Sequence, residues 1–234
     1  MGDGQGHILA IDTAMNACSV ACYNAESGSV HARSVPMPRG QAESLVPMVQ
    51  EVVGEAGLAF EVLGAVVTTT GPGAFTGLRV GLSAAKSFAL ALGVPLWGIS
   101  TFQVLALAYI EKYPQAEGFT VLIETKREDL YIQSFDAKGS ASSEPLSMRA
   151  EDIAAGHPAG SIFIGDAVAR FKGMLKHDIF QYVEGFDFPD PSVMVTAFTD
   201  PKMRETFFAE GVSPLYLRAP DVSVPKISAR VVEF

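Results

Sequence analysis

The chain has 234 residues, of which 48% are hydrophobic, and its 17 basic and 26 acidic residues give a formal net charge of -9. This length and apolar content predict a sizeable core, in one large domain or two small lobes. The acidic balance argues against broad attraction to nucleic acid, so an RNA contact would need a local patch or a partner. The N-terminus lacks signal-peptide features, and the longest weakly polar run, 88–99, is too short to span a bilayer, so we expect a cytoplasmic protein without a membrane anchor.

The first half of the chain reads as alternating strands and helices. Two strands, 8–13 and 17–23, form a predicted hairpin. The elements expected after it are a strand at 30–35, a helix at 41–56, a strand at 64–70, a helix at 76–92, a strand at 94–99 and a helix at 101–112. This order is typical of an α/β lobe.

The second half repeats the opening hairpin, which predicts a duplication. Strands at 121–125 and 130–135 reproduce its layout, and Glu124-Thr125 takes the place of Asp12-Thr13. Further strands are expected at 162–166 and 181–186, followed by a helical stretch at 191–210 that Pro201 interrupts. We therefore predict lobes at 1–102 and 103–234 with a boundary near 100–103, and the last helix is a candidate to pack back on the first lobe.

Residues 65–92 predict a strand, a tight glycine-rich loop and a helix for which Thr76 is a candidate cap. Such loops often hold phosphate at a helix N-terminus. The P-loop spacing fails, because five residues separate Gly71 from Gly77, and the dinucleotide pattern fails because Thr76 replaces its third glycine. Close packing of loop, sheet and helix is the favoured alternative. If nucleotide does bind, the candidate residues are Asp12, Thr13, Gly71 and Gly73.

Two hypotheses apply to Asp12, because a carboxylate at a strand end can organise a magnesium-bound water or cap the local turn. Cys18 and Cys22 lie an even number apart in a strand and are expected to be buried hydrophobes. No histidine pair has metal-ligand spacing, and no serine sits in a nucleophile elbow, so we assign no metal site and no catalytic residue. The histidines, expected at the surface or in packing, are His7, His31, His157 and His177.

Two helices carry more apolar surface than one sheet contact requires. The helix at 78–92 has one stripe at Leu78, Leu82, Ala85, Ala89 and Leu92 and a second at Val80, Ala84, Phe88 and Ala91. The excess predicts either burial on two sides or a protein interface. Which stripe faces a partner stays open. The candidate interface residues are Leu45, Met48, Val49, Val52, Leu82, Ala85 and Ala89.

Three segments together resemble the bacterial TsaB (YeaZ) family: the strand at 8–14, the glycine loop at 71–81 and Pro214-Leu215-Tyr216-Leu217-Arg218. The resemblance implies the duplicated two-lobed α/β fold of the sugar kinase, Hsp70 and actin (ASKHA) superfamily. It also implies a required, non-catalytic partner of TsaD, the paralogue that transfers threonylcarbamoyl to adenosine in tRNAs reading codons that begin with A.

The same resemblance implies a set of partners and absences. TsaD would be the direct partner, the ATPase TsaE would join through the complex, and no cofactor is expected. The acidic balance of the chain predicts that tRNA is contacted only indirectly. Without TsaD the candidate interface residues could pair with a second copy, so we predict a homodimer of the isolated protein. Gln41 and Leu45 occupy the positions of two metal-binding histidines of TsaD and cannot replace them. Glu124-Thr125-Lys126-Arg127 stands where a phosphate-binding hairpin needs glycine. A small-molecule kinase or ATPase of this superfamily is the alternative function, and an RNA-binding module is a third.

Overall fold

The computed structural model describes residues 6–175 and 179–218, which form two mixed sheets with helices packed on them. The strands are β1 (His7–Asp12), β2 (Ala17–Asn24), β3 (Ser29–Pro36), β4 (Leu63–Thr69), β5 (Leu96–Ile99), β6 (Phe119–Glu124), β7 (Asp129–Phe135), β8 (Leu146–Arg149), β9 (Ile162–Ile164), β10 (Gln181–Val183) and β11 (Ala209–Glu210). The helices are α1 (Gln41–Glu55), α2 (Phe75–Leu92), α3 (Thr101–Lys112), α4 (Ala150–Gly156), α5 (Val168–Met174), α6 (Pro191–Thr199) and α7 (Pro201–Phe207), with a 3-10 turn at Phe60–Val62.

The two sheets have the same topology. The first has the order β11-β5-β4-β1-β2-β3 and the second β10-β9-β6-β7-β8. In each sheet the first three strands in sequence are antiparallel neighbours, and the fourth and fifth continue in parallel from the other side of the first. Apart from the added strand β11, one sheet repeats the other, which confirms the predicted duplicated α/β fold.

The first sheet is covered on both faces because β1 alternates its side chains between two cores. Leu9 and Ile11 pack with α1 and α2, whereas Ile8 and Ala10 pack with α6 on the opposite face. Residues after the second sheet therefore complete the core of the first. No helix in the described part of the chain is both long and apolar enough to cross a membrane.

The candidate interface residues lie inside this core. Their exposed fractions range from 0% to 6%, and they pack against the first sheet or its adjoining loop. The residues are Leu45, Met48, Val49, Val52, Leu82, Ala85 and Ala89. Side chains this buried leave no area for a partner, so the structure corrects the prediction and assigns this stripe to the covering of the sheet.

Two other expectations concern local structure. The cap prediction for Thr76 is wrong, because α2 begins at Phe75 and Ala74 is the extended residue before it. Cys18 and Cys22 are both fully buried, and burial raises the pKa of each thiol to about 11, so neither is poised to react.

The chain returns to the first lobe near its end. Ala209 of β11 pairs with Gly98 of β5, and the Leu215 amide donates to the Thr70 carbonyl at 2.7 Å. Beyond it, the Arg79 side chain of α2 donates to the Tyr216 hydroxyl at 3.0 Å. Residues 209–216 thus lie against the glycine loop and the start of α2.

Candidate functional site in the cleft between the lobes

A cleft of about 900 Å³ separates the glycine loop of the first lobe from the β6–β7 turn of the second. The β3–α1 loop and residues 215–218 close its other sides. In a two-lobed fold this is where a ligand would be held between the lobes, and the atoms of each wall decide what can bind.

The first-lobe wall is formed by the glycine loop, which packs directly against the backbone of the β1–β2 turn. The Ala74 amide donates to the Ala14 carbonyl at 2.7 Å. A Cβ placed on Gly73 would lie 2.1 Å from the Ala14 carbonyl oxygen, and one on Gly77 would lie 2.3 Å from that of Thr13. Glycine is required at both positions because the loop rests directly on the β1–β2 turn. These contacts lie on the side of the loop that meets the turn, while its other side lines the cleft.

Asp12 is sealed beneath this loop. Its Oδ1 accepts hydrogen bonds from Thr69 Oγ1 at 2.6 Å and from the Ala14 amide at 3.1 Å, while Oδ2 has no partner among the described atoms. Burial raises the pKa of this carboxyl from 3.8 to about 6, although the two hydrogen bonds oppose that rise. Asp12 therefore caps the local turn and supports the glycine loop.

Of the four nucleotide-binding candidates, Asp12, Thr13 and Gly71 are buried, whereas Gly73 lines the cleft. Asp12 and Thr13 are 0% and 1% exposed, and the Thr13 hydroxyl donates to the Gly77 carbonyl at 2.6 Å. Gly71 is buried, with Leu78 and the Leu215 carbonyl close to its Cα. Because the loop covers Asp12 and Thr13, these two residues do not fit contact with the Mg-nucleotide that the superfamily implies.

In the second-lobe wall, side chains occupy the backbone amides of the β6–β7 turn. In the β6–β7 turn, the Lys126 amide donates to the Glu124 carboxylate and the Arg127 amide donates to Thr125 Oγ1 at 3.1 Å. Arg170 also pairs with the Glu124 carboxylate. The amides that could have formed an anion-binding nest are thus engaged by side chains of the turn itself.

A second buried carboxyl lies behind this turn. Asp166 follows β9 and accepts a hydrogen bond from the Glu124 amide at 2.9 Å. Burial raises the pKa of Asp166 to about 7, and the charges of Glu124 and Asp187 add to the effect. Each lobe thus contains one acid of raised pKa beneath its hairpin, a parallel that the sequence did not reveal for Asp166.

The three histidines that the structure describes are His7, His31 and His157, and each makes local hydrogen bonds. Among the described residues, no three His, Cys, Asp or Glu side chains come together around a possible ion position. His7 and His31 bond to the Ala25 amide and the Ser29 hydroxyl. His157 contacts the Thr120 hydroxyl at 3.2 Å, but its other nitrogen donates to the Ile153 carbonyl, so no carboxylate orients it as a triad requires. His177 lies outside the described residues.

The rim of the cleft carries groups that sequence reasoning did not bring together. The Arg79 guanidinium lies 3.8 Å from the ring centroid of Phe75, whose centroid is 5.5 Å from that of Tyr216. Arg39 and Lys126 stand on other sides of the same cleft. The sequence analysis named the segments that contain Phe75, Arg79, Lys126 and Tyr216, but nothing in the sequence placed these segments and Arg39 around one cleft.

Comparison with known proteins connects this architecture to a family. A family model described as "TsaD: tRNA N6-adenosine threonylcarbamoyltransferase" matches residues 37–198, which is more than half of the chain. The tRNA threonylcarbamoyladenosine biosynthesis protein TsaB of Escherichia coli K12 is 40% identical over 99 residues, 42% of this chain and 42% of that protein. TsaB of Buchnera aphidicola subsp. Schizaphis graminum is 33% identical over 124 residues, 53% of this chain and 58% of that protein. The chain thus matches about half the length of these relatives.

Solved structures support the fold over a longer range. YeaZ from Pseudomonas aeruginosa superposes with a TM-score of 0.76 at 23% identity, covering 91% of this chain and 100% of that one. A second structure, described as similar to peptidase YEAZ from Pseudomonas aeruginosa, gives a TM-score of 0.77 at 24% identity. These likenesses establish that the chain shares the two-lobed architecture of YeaZ.

The glycine contact can be tested with two helical glycines. Gly77→Ala should lower the free energy of unfolding by about 1–3 kcal/mol, because its Cβ would meet the Thr13 carbonyl. Gly54→Ala in α1 has no atom within 4 Å and should be neutral or stabilising by up to about 1 kcal/mol. Urea unfolding measures both, and equal effects of the two substitutions would contradict the packing explanation.

The buried carboxyl predicts a pH dependence. Because folding raises the pKa of Asp12 from 3.8 to about 6, its ionisation destabilises the folded state increasingly between those values and fully above them. The stability of Asp12→Asn relative to the natural protein should therefore rise by roughly 2–3 kcal/mol between pH 4 and pH 8. Denaturant unfolding across this range measures the difference. The exposed Asp152→Asn is the control, and a pH-independent difference for Asp12→Asn would refute the assignment.

Proposed function

The chain belongs to the family that the TsaD model describes, within its TsaB (YeaZ) group, and on that premise we propose that it is the required, non-catalytic partner of TsaD. The proposed reaction is threonylcarbamoyl transfer to adenosine in tRNAs that read codons beginning with A, in the cytoplasm. The single observation that carries the non-catalytic assignment is the burial of Asp12 and Thr13 beneath the glycine loop, which rests directly on the β1–β2 turn.

The closed walls of the cleft also weigh against the alternative of a small-molecule kinase or ATPase. Phosphoryl transfer requires amides or cations arranged around the phosphates and a metal held beside them. Here the Lys126 and Arg127 amides are bonded within their own turn, and Asp12 lies beneath the loop with no exposed surface. A protein without phosphoryl-transfer groups in its cleft can still act by binding a catalytic relative.

The surface proposed for that relative lies where α1 meets α2. On one flank of α1, Glu51 and Glu55 pair with Arg33 of β3. Helical periodicity places Ala42 and Val46 on the opposite flank, towards α2. Both are exposed, and the exposed fraction of Val46 is 46%. This flank is apolar and is not needed to cover the sheet.

Helix α2 contributes a second apolar stripe to the same place. Val80, Ala84 and Phe88 are half-buried and pack against the α1-side core from outside. We define the seam patch as Ala42, Val46, Val80, Ala84 and Phe88. Leu90, which is 85% exposed, lies further along α2. The seam patch therefore replaces the buried stripe as the proposed interface.

The geometry of the seam patch suits a helical partner. Two adjacent helices can supply about 800 Å² of interface, the usual share of one partner in a stable complex. We propose that α1 and α2 pack against the equivalent helices of TsaD in a mixed bundle, which TsaE joins. Because a patch of this kind can also meet its own copy across a two-fold axis, the isolated chain would form a homodimer through it.

Two matched substitutions test the seam patch. Val46→Arg should weaken binding to TsaD by at least about tenfold, because it places a charge in the centre of an apolar contact. Leu146→Arg is the control, since Leu146 is also 49% exposed but lies in β8 of the second sheet, outside the seam patch. Titration of TsaD with each variant, with tRNA modification measured in parallel, gives the comparison.

Two outcomes would count against the proposal. Equal binding by both variants would place the interface elsewhere on the chain. Full modification of tRNA by TsaD and TsaE without this chain would refute its role as a required partner.

A further inference from the structure

We propose that the cleft between the lobes binds unpaired RNA through its phosphate backbone. This inference rests on the proposed function only for the identity of the RNA, which would be the anticodon loop of the tRNA being modified. The cleft shares Ala42 and Val80 with the seam patch, but the inference is argued from other residues, the charges and rings around the cleft.

The cleft has a charge opposite to that of the chain. Although the net charge is -9, four cationic side chains and only two carboxylates line the cleft. The cations are Arg39, Lys126, Arg127 and Arg218, and the carboxylates are Glu43 and Glu124. Glu124 is already paired with Arg170 and bonded to the Lys126 amide. A local basic patch thus exists in an acidic protein, which is the condition that an RNA contact required.

Two of these cations are available to a ligand. Within the described residues, neither Arg39 nor Lys126 has an ion pair, and both are exposed. Lys126 has a φ of 58°, so the turn adopts the left-handed region that non-glycine residues seldom occupy. Arg218 is shared with Asp129 at 3.1 Å, with 45% of its side chain exposed. Arg39 and Lys126 are therefore the side chains to test.

Aromatic rings accompany the cations. Phe75 and Tyr216 are 45% and 40% exposed at the rim, and Tyr131 lines the second-lobe side. The Arg79 guanidinium packs over Phe75 and is fixed by the Tyr216 hydroxyl. Such clusters of rings and guanidinium groups provide stacking surfaces for unpaired bases.

The arrangement favours an RNA strand over a free nucleotide. A triphosphate would need amides clustered at one point, and the amides of Lys126 and Arg127 at the β6–β7 turn are already bonded. The cations instead stand on separate segments: the β3–α1 loop, the β6–β7 turn and the segment ending at Arg218. Cations spread in this way match successive phosphates of an extended backbone.

The cleft also adjoins the proposed partner surface. Ala42 and Val80 belong to the seam patch and line the cleft as well. RNA held here would therefore lie beside a protein bound at the seam patch. The expectation of purely indirect tRNA contact followed from the net charge of the whole chain, and the local charge of the cleft is the reason to revise it.

The test is fluorescence anisotropy of the full chain with a labelled RNA hairpin that carries an unpaired anticodon-type loop. We expect the double variant Arg39→Gln, Lys126→Asn to bind roughly tenfold more weakly, with a slope of log K against log salt shallower by about 1.4. Asn is chosen because it tolerates the left-handed turn. The control double variant Lys138→Gln, Lys202→Gln removes the same charge from exposed positions outside the cleft and should bind as the natural protein does.

Three results would overturn the inference: no binding of the hairpin, equal weakening by the two double variants, or competition by free ATP as effective as that of unlabelled hairpin. Titration with TsaD separates this outcome from that of the proposed function. Loss of hairpin binding with normal TsaD binding refutes only the RNA site, whereas hairpin binding without any TsaD binding refutes only the partner role.

Discussion

The direct contact between the glycine loop and the β1–β2 turn is the constraint on which the other features of the first lobe depend. Gly73 and Gly77 bring the loop within backbone distance of Thr13 and Ala14. This contact buries Asp12 and holds the start of α2 against the β1–β2 turn. The seam patch and the first-lobe wall of the cleft both follow from it, so a single backbone approach shapes two proposed binding surfaces.

The loops that the two lobes turn towards the cleft are held in place by different interactions. In the first lobe, glycines without side chains allow the loop to rest directly on the β1–β2 turn. In the second lobe, the Glu124 carboxylate accepts a hydrogen bond from the Lys126 amide of its own turn. Asp12 and Asp166 have raised pKa values behind these two closures. The two lobes thus share one topology but differ in the contacts that hold the glycine loop and the β6–β7 turn.

The sequence predicted elements well where local signals agreed. Helix α3 was placed at its observed bounds because a Ser100 cap precedes a continuous apolar stretch. The short elements β8 and α4 were missed, since four and seven residues are too few to show a period. The interface stripe was misassigned because periodicity cannot tell which of two apolar faces covers the sheet. The basic cleft depends on Arg39, Lys126 and Arg218, which only the folded chain brings together, and the lobe boundary stays a prediction.

Helix α6 has a consequence for the order of events during synthesis. It covers the face of the first sheet formed by Ile8 and Ala10, yet it is encoded after the whole second sheet. While the ribosome is still producing the second lobe, α3 contributes Val104 and Leu107 to that face, but the part that α6 covers has no other cover from its own chain. The growing polypeptide must therefore either remain loosely organised or be shielded by another molecule until residues 191–199 have emerged.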